Sequence, residues 1–182
     1  PAFLPPSVQK QYTYPNELRY EIDQVLGSDE YDVDVRQFRT EDKDFLLQRI
    51  YAMNEKQFKV MCYHMEEKPW DLFMFVDMGV DRIHYGMWKY HDITHPKHEP
   101  SNRYQHAIRD YYIHLDRQIG TLLEWVPEET LILTVSDHGV KGMHGGICIN
   151  EWLRREGYLA LLEEPHGNGP IPFEKVKVDW SK

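Results

Sequence analysis

The chain has 182 residues, and its 21 Lys and Arg against 30 Asp and Glu give a formal net charge of −9. This length fits one domain or one part of a larger domain. Apolar residues at 41% and aromatic residues at 13% provide enough material for a buried core, which excludes a globally disordered chain. The acidic balance argues against a nucleic-acid scaffold role, because no face rich in Lys and Arg is visible to neutralise phosphates.

Cysteine usage and hydropathy indicate a cytoplasmic protein. Cys62 and Cys148 have no CxxC or CxxH partner, which is typical of a reduced compartment. No apolar run approaches the roughly 18 residues of a membrane span, and the first residues carry no signal-peptide pattern. We therefore expect neither export nor membrane association. The start at Pro1 without a methionine and the end at Lys182 suggest a piece of a longer polypeptide.

Helical periodicity marks three segments of the first two thirds of the chain. An apolar stripe at residues 18–26, ended by Gly27, predicts a short helix. Thr40 is the expected N-cap of a long amphipathic helix over about 41–65. The clearest spacing of three and four predicts a second long helix over about 102–124.

Two short apolar runs predict buried strands. Residues 70–77 and 130–135 are almost continuously apolar and are bounded by turn residues. With the helix of 102–124 between them they read as a βαβ unit, so the strands should be parallel and the fold class α/β. A short helix is expected over 150–157, ended by its last glycine, and the tail from 163 should be irregular.

Candidate ligands follow both predicted strands. The first run leads to Asp77 and then to Asp81-Arg82-Ile83-His84, and the second to Ser136-Asp137-His138-Gly139, with His144 a few residues later. In a parallel sheet these clusters would meet at the carboxyl edge of the strands. Carboxylates and neutral imidazoles are ligands of Zn²⁺, Mn²⁺ and Fe²⁺, so the pattern favours a divalent-metal site.

Structural roles explain parts of the same pattern. Asp81 could be a helix N-cap, and the Asp137-His138 pair could be a turn cap with a structural histidine. The loop histidines 91, 95 and 98 lie among Lys and Pro and are expected to be solvated. The residues alone leave these alternatives open.

Three segments in this order resemble the alkaline phosphatase superfamily, in its branch of phosphohydrolases and phosphomutases related to type I phosphodiesterase/nucleotide pyrophosphatases. In chain order they are Asp81-Arg82-Ile83-His84 with Trp88-Lys89-Tyr90, then Val135-Ser136-Asp137-His138-Gly139, and then Gly145-Gly146-Ile147-Cys148-Ile149-Asn150-Glu151-Trp152-Leu153. The likeness runs from Thr13 to Lys182. It implies an α/β core, here a partial alkaline-phosphatase-like one with parallel strands at about 70–77 and 130–135.

The resemblance also implies a chemistry. A Thr or Ser alkoxide attacks phosphorus between two divalent metal ions, most simply Zn²⁺ or Mn²⁺. Carried over by position, Asp137 and His138 would bind one ion, and Asp81 with a following histidine the other. The family pattern places that histidine four residues after the aspartate, where this chain has Tyr85, so His84 is the nearest candidate and His144 a second one.

The resemblance further implies that residues 1–182 form one partial domain, the C-terminal part of a larger metallo-phosphohydrolase core. The family's nucleophile lies on an N-terminal strand that this chain lacks, so we expect the chain alone to be inactive. The expected partner is a small phosphorylated substrate, and an exposed sheet edge would favour a homodimer. The alternatives are a phosphomutase on the same scaffold, and a non-catalytic relative that binds a ligand or a partner protein.

Overall fold

The computed structural model describes residues 12–27, 29–35, 38–164, 166, 169 and 171–181. These residues form two compact units, Pro1–Gly142 and Met143–Lys182. Among them no helix is both long enough and apolar enough to cross a membrane. The five α-helices are α1 (Leu18–Leu26), α2 (Lys43–Glu67), α3 (Gly79–His91), α4 (Ala107–Leu123) and α5 (Ile149–Arg155).

The predicted helices at the start of the chain are present, with adjusted ends. Helix α1 packs Ile22 and Leu26 against Val60 of α2 in a small apolar cluster. Helix α2 is capped by Asp42, whose carboxylate accepts a hydrogen bond from the Phe45 amide at 3.0 Å. Thr40, the expected cap, instead accepts a hydrogen bond from the Asp42 amide at 3.1 Å. The helix therefore starts two residues later than the sequence predicted.

The main core lies where α2, α3 and α4 meet. Gly86 allows α3 to lie close to α2, because a Cβ there would lie 2.5 Å from a methyl carbon of Leu46 on α2. Burial of these apolar side chains is the dominant favourable term in folding. The buried members of this cluster are Val35, Leu46, Ile50, Met53, Phe58, Met61, Ile83, Met87, Tyr90, Ile108, Tyr111 and Leu115.

Helix α3 was not predicted, although its pattern is in the sequence. Ile83, Met87 and Tyr90 are buried and recur at the spacing of one helical face. No element was predicted for this segment, in which Asp81 was considered as a ligand or a helix N-cap and His84 as a ligand. Helix α4 was predicted, but it begins at Ala107 and not near 102.

The predicted α/β core is wrong. The described residues contain helices and a single isolated bridge, and no parallel strands pair with each other. Residues 72–77 belong to no helix or strand, although their burial alternates: Phe73 and Phe75 pack on the helical core, while Leu72 and Met74 are each 85% exposed. Such a segment becomes a strand only when a neighbour accepts and donates its backbone hydrogen bonds.

The second predicted strand likewise pairs with no neighbouring strand in the described part of the chain. Residues 131–135 have every side chain exposed, including Leu131 at 80% and Val135 at 88%. A short apolar run indicates what a segment prefers and does not show that a pairing strand exists. The prediction failed at that step.

The second unit contains α5 and an antiparallel bridge between Leu161 and Val178. Gly157, with φ of +79°, ends the region of α5 as the sequence predicted, since this backbone conformation favours glycine. Glu151 pairs with Arg154 and Arg155 along the helix, at 2.9 and 2.7 Å.

Candidate functional site

Asp77 fixes the start of α3, the helix that carries the first candidate ligands. Its carboxylate accepts hydrogen bonds from the amides of Gly79 and Val80, at 3.2 and 3.3 Å. The Asn54 side-chain amide of α2 donates to it at 3.2 Å, and the Tyr111 hydroxyl of α4 at 3.3 Å. Burial first, and then the Asp77 charge, raise the pKa of Tyr111 far above its usual value. Three helices are thus joined at one half-buried carboxylate.

Asp81 lies on the first turn of α3 and is held by a buried arginine. Arg82 binds the buried Asp34 carboxylate with two parallel hydrogen bonds, from Nε at 2.6 Å and from Nη2 at 2.5 Å. Its remaining nitrogen, Nη1, donates to Asp81 Oδ2 at 2.5 Å. The Phe38 ring lies against the guanidinium, 4.1 Å from its carbon. The other Asp81 oxygen, Oδ1, lies 3.9 Å from His138.

The Asp137-His138 pair lies on an exposed loop directly after residues 130–135. His138 Nε2 is 3.8 Å from Asp137 Oδ1 and 3.9 Å from Asp81 Oδ1, so it stands beside both carboxylates. Its Nδ1 lies 2.9 Å from the Gly139 carbonyl. This hydrogen bond, followed by the charges of Asp137 and Asp81, raises the pKa of His138 above its ordinary value.

A close approach by Gly142 connects this loop to α3. A Cβ at Gly142 would lie 3.4 Å from Asp92 Oδ2 and 3.5 Å from Trp88 Nε1. Those two groups are already joined, because the Trp88 indole donates to the Asp92 carboxylate at 3.0 Å. The loop backbone at Gly142 therefore packs against the hydrogen-bonded side chains of Trp88 and Asp92.

His84 makes its contacts with aromatic side chains. Its ring lies 5.7 Å from the rings of Trp88 and Tyr112, and its Nε2 is 3.4 Å from the Tyr112 hydroxyl. Burial lowers the pKa of His84, against the opposing effect of Asp81. Tyr85, at the position of the family histidine, is 68% exposed and meets the edge of Phe38.

His144 belongs to the second unit, where it is an exposed residue of the segment before α5. A ligand role for His84 and for His144 remains a prediction. Asp81, Asp137 and His138 are the candidate residues that the structure places next to one another.

The three neighbouring side chains carry the donor atoms that a divalent metal ion prefers, but their donor atoms lie farther apart than in a formed metal site. Ligand atoms about 2.0–2.2 Å from a tetrahedral ion lie roughly 3.4 Å apart. His138 Nε2 and Asp137 Oδ1, the two donors expected on one ion, are 3.8 Å apart, which is too long for that ion by about 0.4 Å on this geometry. Asp81 Oδ1, expected on the other ion, is 3.9 Å from His138 Nε2. Within the described part of the chain, accordingly, no group of three or more ligands is already arranged around a metal position.

The sequence reasoning named Asp81, Asp137 and His138 and missed what holds them. Asp34 lies 48 residues before Arg82, and nothing in the local pattern connects the two. Arg82 itself was visible in the motif, and an arginine beside a ligand carboxylate is the signal that could have been used. Asp77 was named among the candidate ligands, and its hydrogen bonds to the first amides of the unpredicted helix α3 were missed.

Comparison with known proteins identifies the family. The model of the type I phosphodiesterase / nucleotide pyrophosphatase family matches residues 2–182, nearly the whole chain, in agreement with the resemblance to the alkaline phosphatase superfamily. No curated protein and no solved structure shows significant similarity to the chain. The chain belongs to the type I phosphodiesterase / nucleotide pyrophosphatase family, whose members are hydrolases and typically depend on metal ions.

Proposed function

We propose that the protein is a metal-dependent phosphoric ester hydrolase that uses two divalent ions, Zn²⁺ or Mn²⁺, on a small phosphorylated substrate. Asp137 and His138 hold one ion and Asp81 contributes to the other. The observation that carries the proposal is the position of His138 between Asp137 and Asp81, which brings the two halves of the predicted site together. The family membership supports the hydrolase class.

Bound divalent ions would supply charge stabilisation at phosphorus and would lower the pKa of a coordinated hydroxyl or water. The chain's own residues contribute the donors and hold them in place. Asp81 is oriented by Arg82, and the Asp137-His138 loop is seated on α3 through Gly142.

Ser136 is not the nucleophile in this proposal. Its hydroxyl donates to the His138 carbonyl at 2.6 Å, so its proton is engaged by a backbone acceptor and not by a base. We propose that the attacking hydroxyl comes from an upstream part of the complete polypeptide. The 182-residue chain alone should then bind metal and should not turn over.

The test is hydrolysis of an aryl phosphodiester with added Mn²⁺ or Zn²⁺ by the complete polypeptide. Asp137→Asn should remove nearly all activity, and Asp116→Asn, which changes an exposed carboxylate on α4, should leave it intact. Wild-type activity in Asp137→Asn would refute the proposal. Incorporation of labelled oxygen from water into the phosphomonoester product separates a hydrolase from a phosphomutase.

A further inference from the structure

The candidate ligands differ in how firmly the structure holds them. The Asp81 side chain is 25% exposed and receives a charged hydrogen bond from Arg82 at 2.5 Å. The side chains of Asp137 and His138 are 90% and 61% exposed. His138 Nε2 and Asp137 Oδ1, the two donors assigned to one ion, are 3.8 Å apart and must come closer to bind it. Both lie on the exposed loop, which has more freedom to move than Asp81.

Arg82 is the residue that makes Asp81 the fixed side. Both its own side chain and that of Asp34 are 9% exposed, and their bidentate pairing defines the plane of the guanidinium. Phe38 packs against one face of that plane. The third nitrogen then points to Asp81 Oδ2, which leaves Oδ1 as the oxygen nearer to His138.

We propose that Arg82, anchored by Asp34, is a positioning residue that orients Asp81 for metal binding. The proposal rests on the proposed function, because it takes Asp81 as a metal ligand. Hydrogen bonds to a ligating carboxylate commonly change metal affinity by about 10- to 100-fold when they are removed. An arginine acting only through its charge would have the opposite effect, since a nearby positive charge repels a cation.

Asp34→Asn is the most informative variant, because Asp34 is not itself a candidate ligand and acts on Asp81 only through Arg82, which it binds with two hydrogen bonds. The asparagine keeps one acceptor oxygen but loses the charged, bidentate hold on Arg82. Arg82→Lys keeps the positive charge and loses the planar fork that joins two carboxylates. Phe38→Leu preserves both ion pairs and removes only the ring beneath the guanidinium.

The experiment is calorimetric titration of the 182-residue chain with Mn²⁺, with folding of each variant checked by circular dichroism. We expect affinity to fall about tenfold in Arg82→Lys and in Asp34→Asn, and by less in Phe38→Leu. Arg49→Gln is the matched control, because Arg49 also pairs with a buried carboxylate, that of Asp32 at 3.4 Å, away from the candidate ligands. It should lower stability without changing Mn²⁺ affinity.

Unchanged or tighter binding in Arg82→Lys and Asp34→Asn would overturn the positioning role while leaving the proposed function intact. An equal loss in Arg49→Gln would overturn it too, because the effect would then be general destabilisation. If Arg82→Lys fails to fold, Asp34→Asn and Phe38→Leu decide by the same criterion. Absence of Mn²⁺ binding by the wild-type chain, or wild-type affinity in Asp81→Asn, would overturn both proposals.

Discussion

Replacing Gly79 by alanine should destabilise the protein through one defined clash. A Cβ at this position would lie 1.7 Å from the Tyr111 hydroxyl oxygen and 2.6 Å from the ring carbon that bears it. Ordinary contacts need about 3.5 Å, so something must move by well over an ångström. Tyr111 is fully buried and cannot turn outward. The start of α3 must therefore shift, and the hydrogen bonds to Asp77 weaken with it.

The magnitude follows from three contributions. Overpacking a core position costs about 1–3 kcal/mol. Loss of the hydrogen bond between Tyr111 and Asp77, 3.3 Å in the native chain, adds about 1 kcal/mol. Alanine recovers about 0.5–1 kcal/mol by restricting the unfolded chain and favouring a helix. We therefore expect Gly79→Ala to lower the free energy of unfolding by about 2 kcal/mol.

Urea unfolding followed by circular dichroism measures this change, and Gly120→Ala is its control. Gly120 lies in α4 with nothing within 4 Å of an added Cβ, so its substitution should stabilise by about 0.5–1 kcal/mol. Combining Gly79→Ala with Tyr111→Leu, which removes the colliding hydroxyl, should cost at least 1 kcal/mol less than the sum of the single changes. Equal stability of the two alanine variants, or additivity in the double variant, would refute the reasoning.

Three further predictions concern the loop that carries His138 and Gly142 and the segment of residues 72–77. The pKa of His138 is raised by its hydrogen bond to the Gly139 carbonyl and by the neighbouring carboxylates, and a metal ion binds the neutral ring. Mn²⁺ affinity should therefore fall on acidification, by up to about tenfold per pH unit once the ring is protonated; a pH-independent affinity between pH 5 and 7 would contradict this. Gly142→Val should displace the loop from Trp88 and Asp92 and weaken Mn²⁺ binding without unfolding the helical core, as calorimetry and circular dichroism would show. Phe75→Ala, which removes a ring 5.4 Å from that of Phe58, should cost about 2 kcal/mol in urea unfolding, whereas the exposed Met74→Ser should cost less than about 0.5 kcal/mol; equal effects would mean that the segment is not packed on one side.

The sequence was sufficient to predict those helices whose apolar stripes are not interrupted by polar residues. The stripes of α1, α2 and α4 are uninterrupted, and Gly157 supplies an unambiguous stop for α5. It was insufficient for α3, since Asp81 and His84 interrupt the apolar spacing with residues that also suit a loop. For 70–77 and 130–135 the prediction of parallel strands was wrong, because pairing depends on a neighbour that no local pattern contains.

The candidate site, like the fold, could be predicted from the sequence only in part. Asp81, Asp137 and His138 could be found because their motifs are short and local. The hydrogen bonds from Arg82 to Asp34, and from Asn54 and Tyr111 to Asp77, join residues tens of positions apart. These residues come together only when the chain folds, and their spacing in the sequence does not indicate the contacts.

The most direct test of the account is calorimetric titration of the chain with Mn²⁺ and Zn²⁺, with Asp137→Asn and the exposed Asp116→Asn measured beside the wild type. The account predicts that the wild type and Asp116→Asn bind, and that Asp137→Asn has lost the binding. The central claim, that Asp81, Asp137 and His138 are metal ligands, would be contradicted if all three proteins bind equally or if none of them binds.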